Sequence, residues 1–537
     1  MSSPAFKKVL EATGYLTSAG NAAPGMTVSG SPGAMRLRAI FADERVGLKA
    51  DAVFSAQNTP TSIFKDAGLA GPSDDDVKQW HEAAWNVGVA PLLWIVTPTE
   101  VRLYDCYASP PATRSDATSL DRFAIRSDKQ MRALDAMCGR LATESGAFWS
   151  SRIGSRIDRR HRVDRELLAE ISALEDLLTD LSPSKATHHG SVTDSMGLPR
   201  DIAQSFIGRC IFTWYLLNRG IAQRFLPDHL PPDLSAMFAT PDSAFALFDW
   251  LRTTFNGDLF PMDDPGAERD HLSEDHLALI RDFIDGTSLV PEHSGQGRLF
   301  KFRFEAIPVE LISSIYQQFA RSSAAEKAIS QGLHYTPVEL VHLALDPVFE
   351  GLSPSARVID PTCGSGAFLV EAFRRLVWRA TEGRPASRSL VRRILYTQLF
   401  GVDISQAALG IAAFGLYLAA LELDEEPIKS VRDLRFDRLI GTTLFEADTI
   451  GGQLPAKLTR KSFDVVVGNP PWTFVSKQIG SPKRAARNAA TVRPRRSPDQ
   501  EFLFVAVKLS GKHGRIGMVM KATPFFSNDV HAVQARS

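Results

Sequence analysis

The chain has 537 residues, which is too long for one ordinary domain and predicts about three. Its 61 basic and 61 acidic residues cancel to a formal net charge of zero, which excludes a strongly charged molecule and leaves only local patches for a polyanion. Four scattered cysteines without CxxC spacing argue against a zinc site or a disulfide framework. With no signal-peptide pattern and no apolar stretch of about 18 residues, we expect a cytoplasmic protein without a membrane span.

The first two regions of the chain differ in periodicity. Residues 1–110 combine strand-like runs ("ADAVF", "TSIF", "PLLWIV", "EVRLYDCY") with a helical stretch ("DDDVKQWHEAAWNVG"), which predicts a small α/β domain. Residues 118–325 repeat apolar positions at three- and four-residue spacing, as in "RELLAEISALEDLLTDL", which predicts a helical connector domain. The segment "YASPPATRSDATS" between them is rich in Pro, Ser and Thr and is typical of a linker.

In the third region, residues 330–537, strands and helices alternate, which predicts a parallel sheet flanked by helices. The stretch "RVIDPTCGSGAFLVEAF" predicts a strand at Val358–Asp360, a turn with Gly364 and Gly366, and a helix from about Ala367. Glycines let the backbone approach a ligand closely, and a helix start offers unpaired N–H groups. We therefore expect a ligand at this turn.

A second strand, "LFGVDI", carries Asp403 near its end, where a carboxylate can accept hydrogen bonds from ribose hydroxyls. Dinucleotide folds place such an acid about 20 residues beyond a full Gly-x-Gly-x-x-Gly pattern. Here the third glycine is missing and the acid comes much later, so a nicotinamide cofactor is disfavoured.

The run "FDVVV" predicts a buried strand, and it is followed directly by "GNPPW". Two prolines cannot continue a central strand, because each lacks the ladder donor and fixes φ. We therefore expect the strand to end at Asn469, with rigid backbone and Trp472 behind it. The carboxyl ends of strands are where ligands bind in open α/β sheets.

The motifs "DPTCGSGAFL" and "NPPW", with "GLHYTP" upstream, closely resemble those of adenine-specific DNA methyltransferases that use S-adenosylmethionine. Their order resembles that of type I modification subunits and fused type IIG restriction–modification enzymes. The resemblance implies an α/β fold with a Rossmann-like S-adenosylmethionine-dependent methyltransferase sheet, preceded by the helical domain and the small α/β domain. It also implies transfer of a methyl group to N6 of adenine in double-stranded DNA, within a restriction–modification or phage-defence system.

The same resemblance assigns roles to individual residues. Catalysis falls to the four residues Asn469, Pro470, Pro471 and Trp472. Cofactor binding falls to a larger set: Tyr335, Thr336, Pro337, Asp360, Pro361, Gly364, Gly366, Phe368, Asp403, Ile404 and Asp448. No metal is required, because the acceptors of Asn469 and Pro470 would free the lone pair of the adenine amino group for attack. Trp472 would stack on a base extruded from the duplex.

Simpler roles stay open for these residues. Asn469 can close a strand as a turn residue, Trp472 can pack in a core, and Asp403 can cap a helix. Asp448 is a weaker match to the family pattern. Tyr335 and Thr336 can form a turn before a helix.

A basic segment follows the NPPW motif. It has no acidic residue and contains Lys483, Arg484, Arg487, Arg493, Arg495 and Arg496. Phosphates of a bound duplex would pass close to the catalytic strand end, so we expect this segment to bind DNA and to become ordered with it. A solvated charge run is the alternative.

The chain departs from the family pattern at both ends. Fused type IIG enzymes begin with a nuclease, whose fold needs an Asp and then a Glu-x-Lys on the next strand. Asp51 and Lys65 fit, but Ile63 stands where the acid is expected, so the first domain is predicted to be nuclease-like with cleavage badly impaired. Beyond Ser537 we expect a target recognition domain that is not in this chain, supplied by a separate specificity or carboxyl-terminal subunit.

Two further functions stay open. One is a non-catalytic or partner-dependent fragment that binds cofactor or DNA without turnover. The other is a methyltransferase acting on RNA or on protein glutamine, although the helical region and the "YTP" element argue against these usually compact enzymes.

Overall fold

The computed structural model describes residues 2–17, 21–22, 26, 47–56, 59–108, 119–158, 162–180, 196–221, 223–255, 265–290, 302–304, 306–307, 336–452, 454–460, 462–472 and 498–521. The chain divides into two compact units, Met1–Trp250 with Asp263–Pro308 and Leu251–Met262 with Val309–Ser537. No helix in the described ranges is long and apolar enough to cross a membrane. The three-domain division at residues 1–110, 118–325 and 330–537 stays a prediction.

The first unit contains a five-stranded mixed sheet. Its strands, in both chain and spatial order, are β1 (Ala52–Ala56), β2 (Thr59–Asp66), β3 (Leu92–Val96), β4 (Glu100–Asp105) and β5 (Ser119–Ala124). Helix α1 (Pro4–Ala12) precedes the sheet, and α2 (Asp74–Val87) links β2 to β3. Because β2 and β3 are parallel, a crossover must join them, and α2 supplies it.

Local sequence explains where α2 begins and ends. Ser73 and Asp76 form a capping box at its start, and Gly88 closes it in the left-handed region with φ +62°. Successive strand residues alternate between two cores: Phe64 and Trp94 lie in one, and Ile63 and Ile95 in the other.

Strand β5 lies in the region that the sequence predicts to be helical. It pairs antiparallel with β4, and helix α3 (Asp128–Cys138) packs on it, with Met131 and Leu134 in the same core as Trp94. The first sheet therefore extends beyond residue 110. Local periodicity missed this strand because Leu120 and Phe123 are buried only through packing with other elements.

Helices follow, as the periodicity predicts. In chain order they are α4 (Arg140–Glu144), α5 (Val163–Thr179), α6 (Arg200–Asn218), α7 (Leu234–Met237), α8 (Pro241–Thr254), α9 (Pro265–His271) and α10 (Glu274–Asp285). Helix α5 packs against α6 and α10. On α5 the buried carboxylate of Glu170 accepts hydrogen bonds from Ser288 Oγ (2.7 Å) and Leu289 N (2.8 Å), which offset the cost of its burial.

The second unit contains a five-stranded sheet whose strands are all parallel. The strands are β6 (Val358–Asp360), β7 (Leu399–Asp403), β8 (Leu444–Glu446), β9 (Phe463–Gly468) and β10 (Ser510–Met518), in the spatial order β10-β9-β6-β7-β8. The chain runs outward from β6 to β8 and then returns beside β6. This reversal creates a switch point between β6 and β9, where open α/β sheets bind ligands.

Helices connect these strands. They are α11 (Val338–Phe349), α12 (Ala367–Thr381), α13 (Arg388–Thr397), α14 (Gln406–Leu423), α15 (Val431–Leu434), α16 (Ala456–Thr459) and α17 (Pro498–Leu509). Helix α17 packs against β9 and β10, and α12 packs against β6 and β7. The predicted parallel sheet flanked by helices is therefore present, with the strand at Val358–Asp360 and the helix start at Ala367 as predicted.

A buried network of charges joins α11, α12 and α14. Glu371 on α12 accepts from Arg374 Nη1 (2.7 Å), Arg375 Nη1 (2.9 Å) and His342 Nε2 (3.1 Å). Arg375 also binds Asp346 on α11 at 2.7 Å. Arg374 continues the network to Glu422 on α14 at 2.6 Å, so each buried guanidinium has a carboxylate on two helices. The network therefore fixes α11 and α14 to α12.

Replacing Glu371 with leucine is expected to lower the free energy of unfolding of this unit by about 3–5 kcal/mol, because Arg374 and Arg375 each lose a buried carboxylate partner. Urea unfolding, followed by circular dichroism, measures the change. Glu339→Leu is the matched control, since Glu339 is exposed at the start of α11 and its loss should cost at most about 1 kcal/mol. Equal effects of the two substitutions would contradict the role of the network.

Candidate functional site

The loop after β6 is built around the carboxyl group of Asp360. This side chain is 1% exposed and accepts hydrogen bonds from Thr362 N (2.9 Å) and Thr362 Oγ1 (3.3 Å). Burial raises the pKa of Asp360 to about 7, because the charged form loses its hydration. The buried carboxyl group of Asp360 therefore holds the backbone of this loop at Thr362.

The structure requires glycine at two positions of this loop, Gly364 and Gly366, and the requirement differs between them. Both have positive φ, +52° at Gly364 and +85° at Gly366. A Cβ on Gly366 would lie 2.9 Å from Cβ of Ala412 on α14, so the close packing of α12 on α14 excludes a side chain there. A Cβ on Gly364 would meet nothing within 4 Å among the described residues, so Gly364 faces open space.

Asp403 lies beside this loop, as the sequence predicts. Its Oδ2 accepts from Gly364 N at 2.9 Å and its Oδ1 from Ser405 N at 2.8 Å. Burial raises the pKa of Asp403, and these backbone N–H groups oppose the shift. The carboxylate thus holds the glycine loop to the end of β7. The next residue, Ile404, leaves 57% of its surface exposed.

Asp448 closes the turn after β8. Its Oδ1 accepts from Ile450 N (3.1 Å) and Gly451 N (2.8 Å). Its neighbour Thr449 is buried and donates from Oγ1 to the carbonyl of Pro361 at 2.8 Å, which ties this turn to the loop after β6. Sequence reasoning missed Thr449, because nothing in its local pattern distinguishes it from other loop threonines.

Strand β9 ends at Gly468, one residue before the predicted end at Asn469. Gly468 has φ +151°, and a Cβ there would lie 2.7 Å from Asp360 Oδ1 and 3.0 Å from Thr362 Oγ1. The backbone at the end of β9 therefore lies directly on the Asp360 carboxyl group. Only glycine permits this approach.

The carboxamide of Asn469 joins two distant parts of the chain. Its Nδ2 donates to Thr336 Oγ1 at 3.0 Å. Its Oδ1 is buried and has no hydrogen-bond partner among the described residues. A buried polar atom without a partner costs about 1–3 kcal/mol, so such an atom requires an explanation. A ligand with an N–H donor would provide one.

The other residues of the motif follow Asn469 in the chain. Pro470 is buried, and Pro471 and Trp472 are half-buried. The Trp472 carbonyl accepts from Lys521 Nζ at 3.0 Å. Trp472 Nε1 is also buried without a partner in the described part of the chain.

The remaining predicted site residues occupy different positions. Phe368 is 2% exposed, so its ring packs in the core and offers almost no area to a ligand. Pro337 is exposed and is the N-cap of α11. Tyr335 lies outside the described residues, as does the predicted DNA-binding segment from Lys483 to Arg496.

The first unit brings together two of the residues expected of a nuclease. Lys65 Nζ lies 3.5 Å from Asp51 Oδ2 and also donates to the carbonyl of Lys49 at 2.7 Å. Ile63, at the position of the expected acid, is fully buried. In the ranges that the structure describes, no group of three or more His, Cys, Asp or Glu side chains could hold a metal ion. Impaired cleavage stays a prediction.

These features define the class of the second unit. It is a doubly wound parallel α/β sheet with a glycine loop after β6, an acid at the end of β7 and a free carboxamide oxygen at the end of β9. Comparison with known proteins finds that residues 309–534 match the family model described as N-6 DNA Methylase.

Two sequence relatives of this chain are also named as methyltransferases. The chain is 27% identical over 231 residues to the adenine-specific methyltransferase PglX of Streptomyces coelicolor. The alignment covers 37% of this chain and 18% of that protein. It is 25% identical over 204 residues to the type II restriction enzyme and methyltransferase RM.Eco57I of Escherichia coli. That alignment covers 31% of this chain and 20% of that protein. The chain thus spans about a fifth of the length of these relatives.

Among solved structures, the methyltransferase subunit of a type I restriction–modification system from Streptococcus thermophilus aligns with 69% of this chain and 78% of its own. The identity is 14% and the TM-score 0.40, which is too low to support any argument. The chain is thus related by sequence to adenine-specific methyltransferases of restriction–modification systems.

Gly468→Ala tests the close approach of β9 to Asp360. The added Cβ would overlap with Asp360 Oδ1, and we expect a loss of about 1–3 kcal/mol in the free energy of unfolding. Gly410→Ala is the control, since Gly410 lies inside α14 and its Cβ would meet nothing within 4 Å among the described residues. It should stabilise the helix by up to about 1 kcal/mol. Opposite signs in urea unfolding are expected, and a stabilised Gly468→Ala variant would contradict the geometry.

Asp360 also predicts a pH dependence. Its pKa is about 7 in the folded chain and about 3.9 in an unfolded one, so the folded state binds more protons between these values. Through this group the free energy of unfolding therefore falls as the pH rises from about 4 to 7. In the Asp360→Asn variant the side chain stays neutral, so this pH-dependent contribution to the free energy of unfolding is absent. Urea unfolding at pH 5 and pH 8 should show that the wild type loses more stability than the variant as the pH rises. An equal change in both proteins would contradict the raised pKa of Asp360.

Proposed function

We propose that this chain transfers a methyl group from S-adenosylmethionine to the N6 amino group of adenine in double-stranded DNA, within a restriction–modification or phage-defence system. The observation that carries the proposal is the buried carboxamide oxygen of Asn469, which has no partner among the described residues. It lies at the switch point of the parallel sheet, where such sheets bind ligands. Relatedness to adenine-specific methyltransferases favours adenine as the base.

The residues at the strand ends fit a nucleoside cofactor. Gly364 faces open space, and no side chain in the described residues caps the start of α12, so its N–H groups are available to a polar group of a ligand. Each oxygen of Asp403 accepts from a backbone N–H group, and a carboxylate oxygen can accept more than one hydrogen bond, so a ribose hydroxyl can still bind there. Exposed Ile404 offers an apolar surface to an aromatic ring.

When bound, S-adenosylmethionine supplies a methyl group activated by the sulfonium charge. The residues of this chain provide positioning and acceptors. The oxygen of Asn469 and the carbonyl of Pro470 accept the two amino hydrogens, which concentrates the lone pair on nitrogen and orients it for attack. Positioning of this kind can lower a barrier by roughly 7–11 kcal/mol. The acceptors are held in place before the reaction, which is the condition under which such dipoles are most effective.

Access to the amino group requires the base to leave the duplex. Trp472, half-buried beside Asn469 in sequence, would flank the extruded base, and stacking on an aromatic ring contributes about 1–3 kcal/mol. The basic residues from Lys483 to Arg496 lie in the chain between Trp472 and α17, and Lys521 contacts both sides of this segment, at the Trp472 carbonyl and at Asp499. The described residues that flank this segment, Trp472 and Asp499, therefore lie close together beside the catalytic motif, which supports a role of the basic residues in phosphate contact.

A separate subunit is proposed to supply target recognition. One relative, 25% identical over 171 residues, is the methylase subunit of a type I restriction enzyme of Methanocaldococcus jannaschii. Its name as a subunit supports an assembly of this kind. Activity of the present chain on DNA would then increase when its partner is added.

The Asn469→Ala variant tests the proposal. With tritiated S-adenosylmethionine and unmethylated genomic DNA, we expect the wild type to label DNA and the variant to lose about 10²–10³-fold in kcat, as for the loss of one preorganised polar contact. Calorimetric binding of S-adenosylmethionine should be retained, because Asn469 is not among the cofactor contacts. Asn21→Ala is the control, since Asn21 is exposed in the first unit.

The same experiment separates the alternatives. Labelling of RNA or protein with none on DNA would contradict the proposed substrate. Cofactor binding without transfer to any acceptor would indicate a partner-dependent or non-catalytic fragment.

A further inference from the structure

The side chain of Asn469 is held by one end only. Its nitrogen donates to the hydroxyl of Thr336 at 3.0 Å, across 133 residues of sequence. Thr336 is 9% exposed, so water competes little for this hydrogen bond. Its oxygen is buried and without a partner among the described residues. The two halves of the carboxamide therefore have different surroundings, one satisfied by the protein and the other free.

The orientation of this carboxamide decides whether the site can work. An amino group presents hydrogens, so only the oxygen of Asn469 can accept from it. Rotation of the carboxamide by half a turn would place its own N–H₂ against the amino group, donor against donor. In the structure Thr336 Oγ1 accepts from the nitrogen, which leaves the oxygen on the other side of the carboxamide. A hydroxyl can also donate, so the contribution of Thr336 is to hold the side chain at this place in the observed orientation.

The position of Thr336 is itself fixed. Pro337, the next residue, is the N-cap of α11, and α11 is joined to α12 by the bonds of His342 to Glu371 and of Asp346 to Arg375. Helix α12 starts at the glycine loop. The hydroxyl that binds Asn469 therefore belongs to the same rigid frame as the loop that is proposed to bind the cofactor.

We propose that Thr336 is a positioning residue, which holds the Asn469 carboxamide with its oxygen toward the substrate amino group. This inference rests on the proposed function. It assigns Thr336 a role through Asn469, which differs from the cofactor contact that the sequence motif predicts for it. The two roles make different predictions for kcat and for cofactor affinity.

Two substitutions separate the roles. Thr336→Val keeps the shape of the side chain and removes the acceptor, and Thr336→Ser keeps the hydroxyl. For the valine variant we expect kcat for DNA methylation to fall about tenfold, with the Kd of S-adenosylmethionine, measured by calorimetry, within twofold of wild type. The serine variant should recover kcat to within about twofold. Thermal unfolding of both variants confirms that they are folded.

A second readout does not depend on activity. In protein labelled with ¹⁵N-asparagine, the side-chain NH₂ signal of Asn469 is assigned by its absence from Asn469→Ala. Hydrogen exchange of this NH₂ should be slow in wild type and in Thr336→Ser, and at least several-fold faster in Thr336→Val.

The outcomes are distinguishable. A raised Kd for S-adenosylmethionine with unchanged kcat in Thr336→Val would overturn the inference in favour of a cofactor contact. Unchanged kcat and unchanged exchange in that variant would show that the hydrogen bond has no positioning role. If the wild type methylates no DNA, the proposed function fails, whereas the exchange measurement still decides whether Thr336 holds the carboxamide.

Discussion

The close approach of Gly468 to Asp360 is the contact on which the arrangement of the site depends. Parallel pairing of β9 with β6 brings the ends of both strands to one edge of the sheet. The carboxyl group of Asp360, which is nearly fully buried, and the backbone of Gly468 can lie together there only because Gly468 has no side chain. With this contact in place, Asn469 follows directly after the residue that lies against Asp360 and Thr362. A side chain at position 468 would push the two ends of the site apart.

Hydrogen bonds between segments that follow different strands complete the site. Asp403, after β7, binds the backbone of Gly364, and Thr449, after β8, binds the carbonyl of Pro361. The Asn469 side chain, after β9, binds Thr336 before α11. Each of these bonds satisfies a buried or half-buried polar group, which the low-dielectric interior would otherwise penalise. The oxygen of Asn469 has no such partner among the described residues.

Much of this arrangement follows from local sequence. The proline pair predicts that β9 ends next to Asn469, and the strand–glycine–helix pattern predicts both the strand Val358–Asp360 and the start of α12, because proline and glycine restrict the backbone regardless of distant contacts. Their resemblance to methyltransferase motifs predicts the family. Partners across the fold were not predictable: nothing in the local pattern indicates that Thr336 binds Asn469, because their contact depends on packing over 133 residues.

Other differences have the same origin. Strand β5 was expected to be helical, because its burial comes from α3 and not from its own alternation. Asp403 and Asp448 are predicted ligand contacts, which stay predictions, and in the structure both carboxylates bind loop backbone. The sequence identifies which polar residues stand at the strand ends. It does not show how many of their hydrogen bonds the fold itself uses, since that number is set only when the loops meet.

We propose that the Asn469 amide oxygen at the end of β9, which has no partner among the described residues, accepts from the exocyclic amino group of adenine when that group is methylated. Mass spectrometry of nucleosides, after digestion of DNA incubated with the chain and S-adenosylmethionine bearing a deuterated methyl group, tests this most directly. Deuterated N6-methyldeoxyadenosine is the expected product. A deuterated methyl group found on cytosine, with none on adenine, would contradict it.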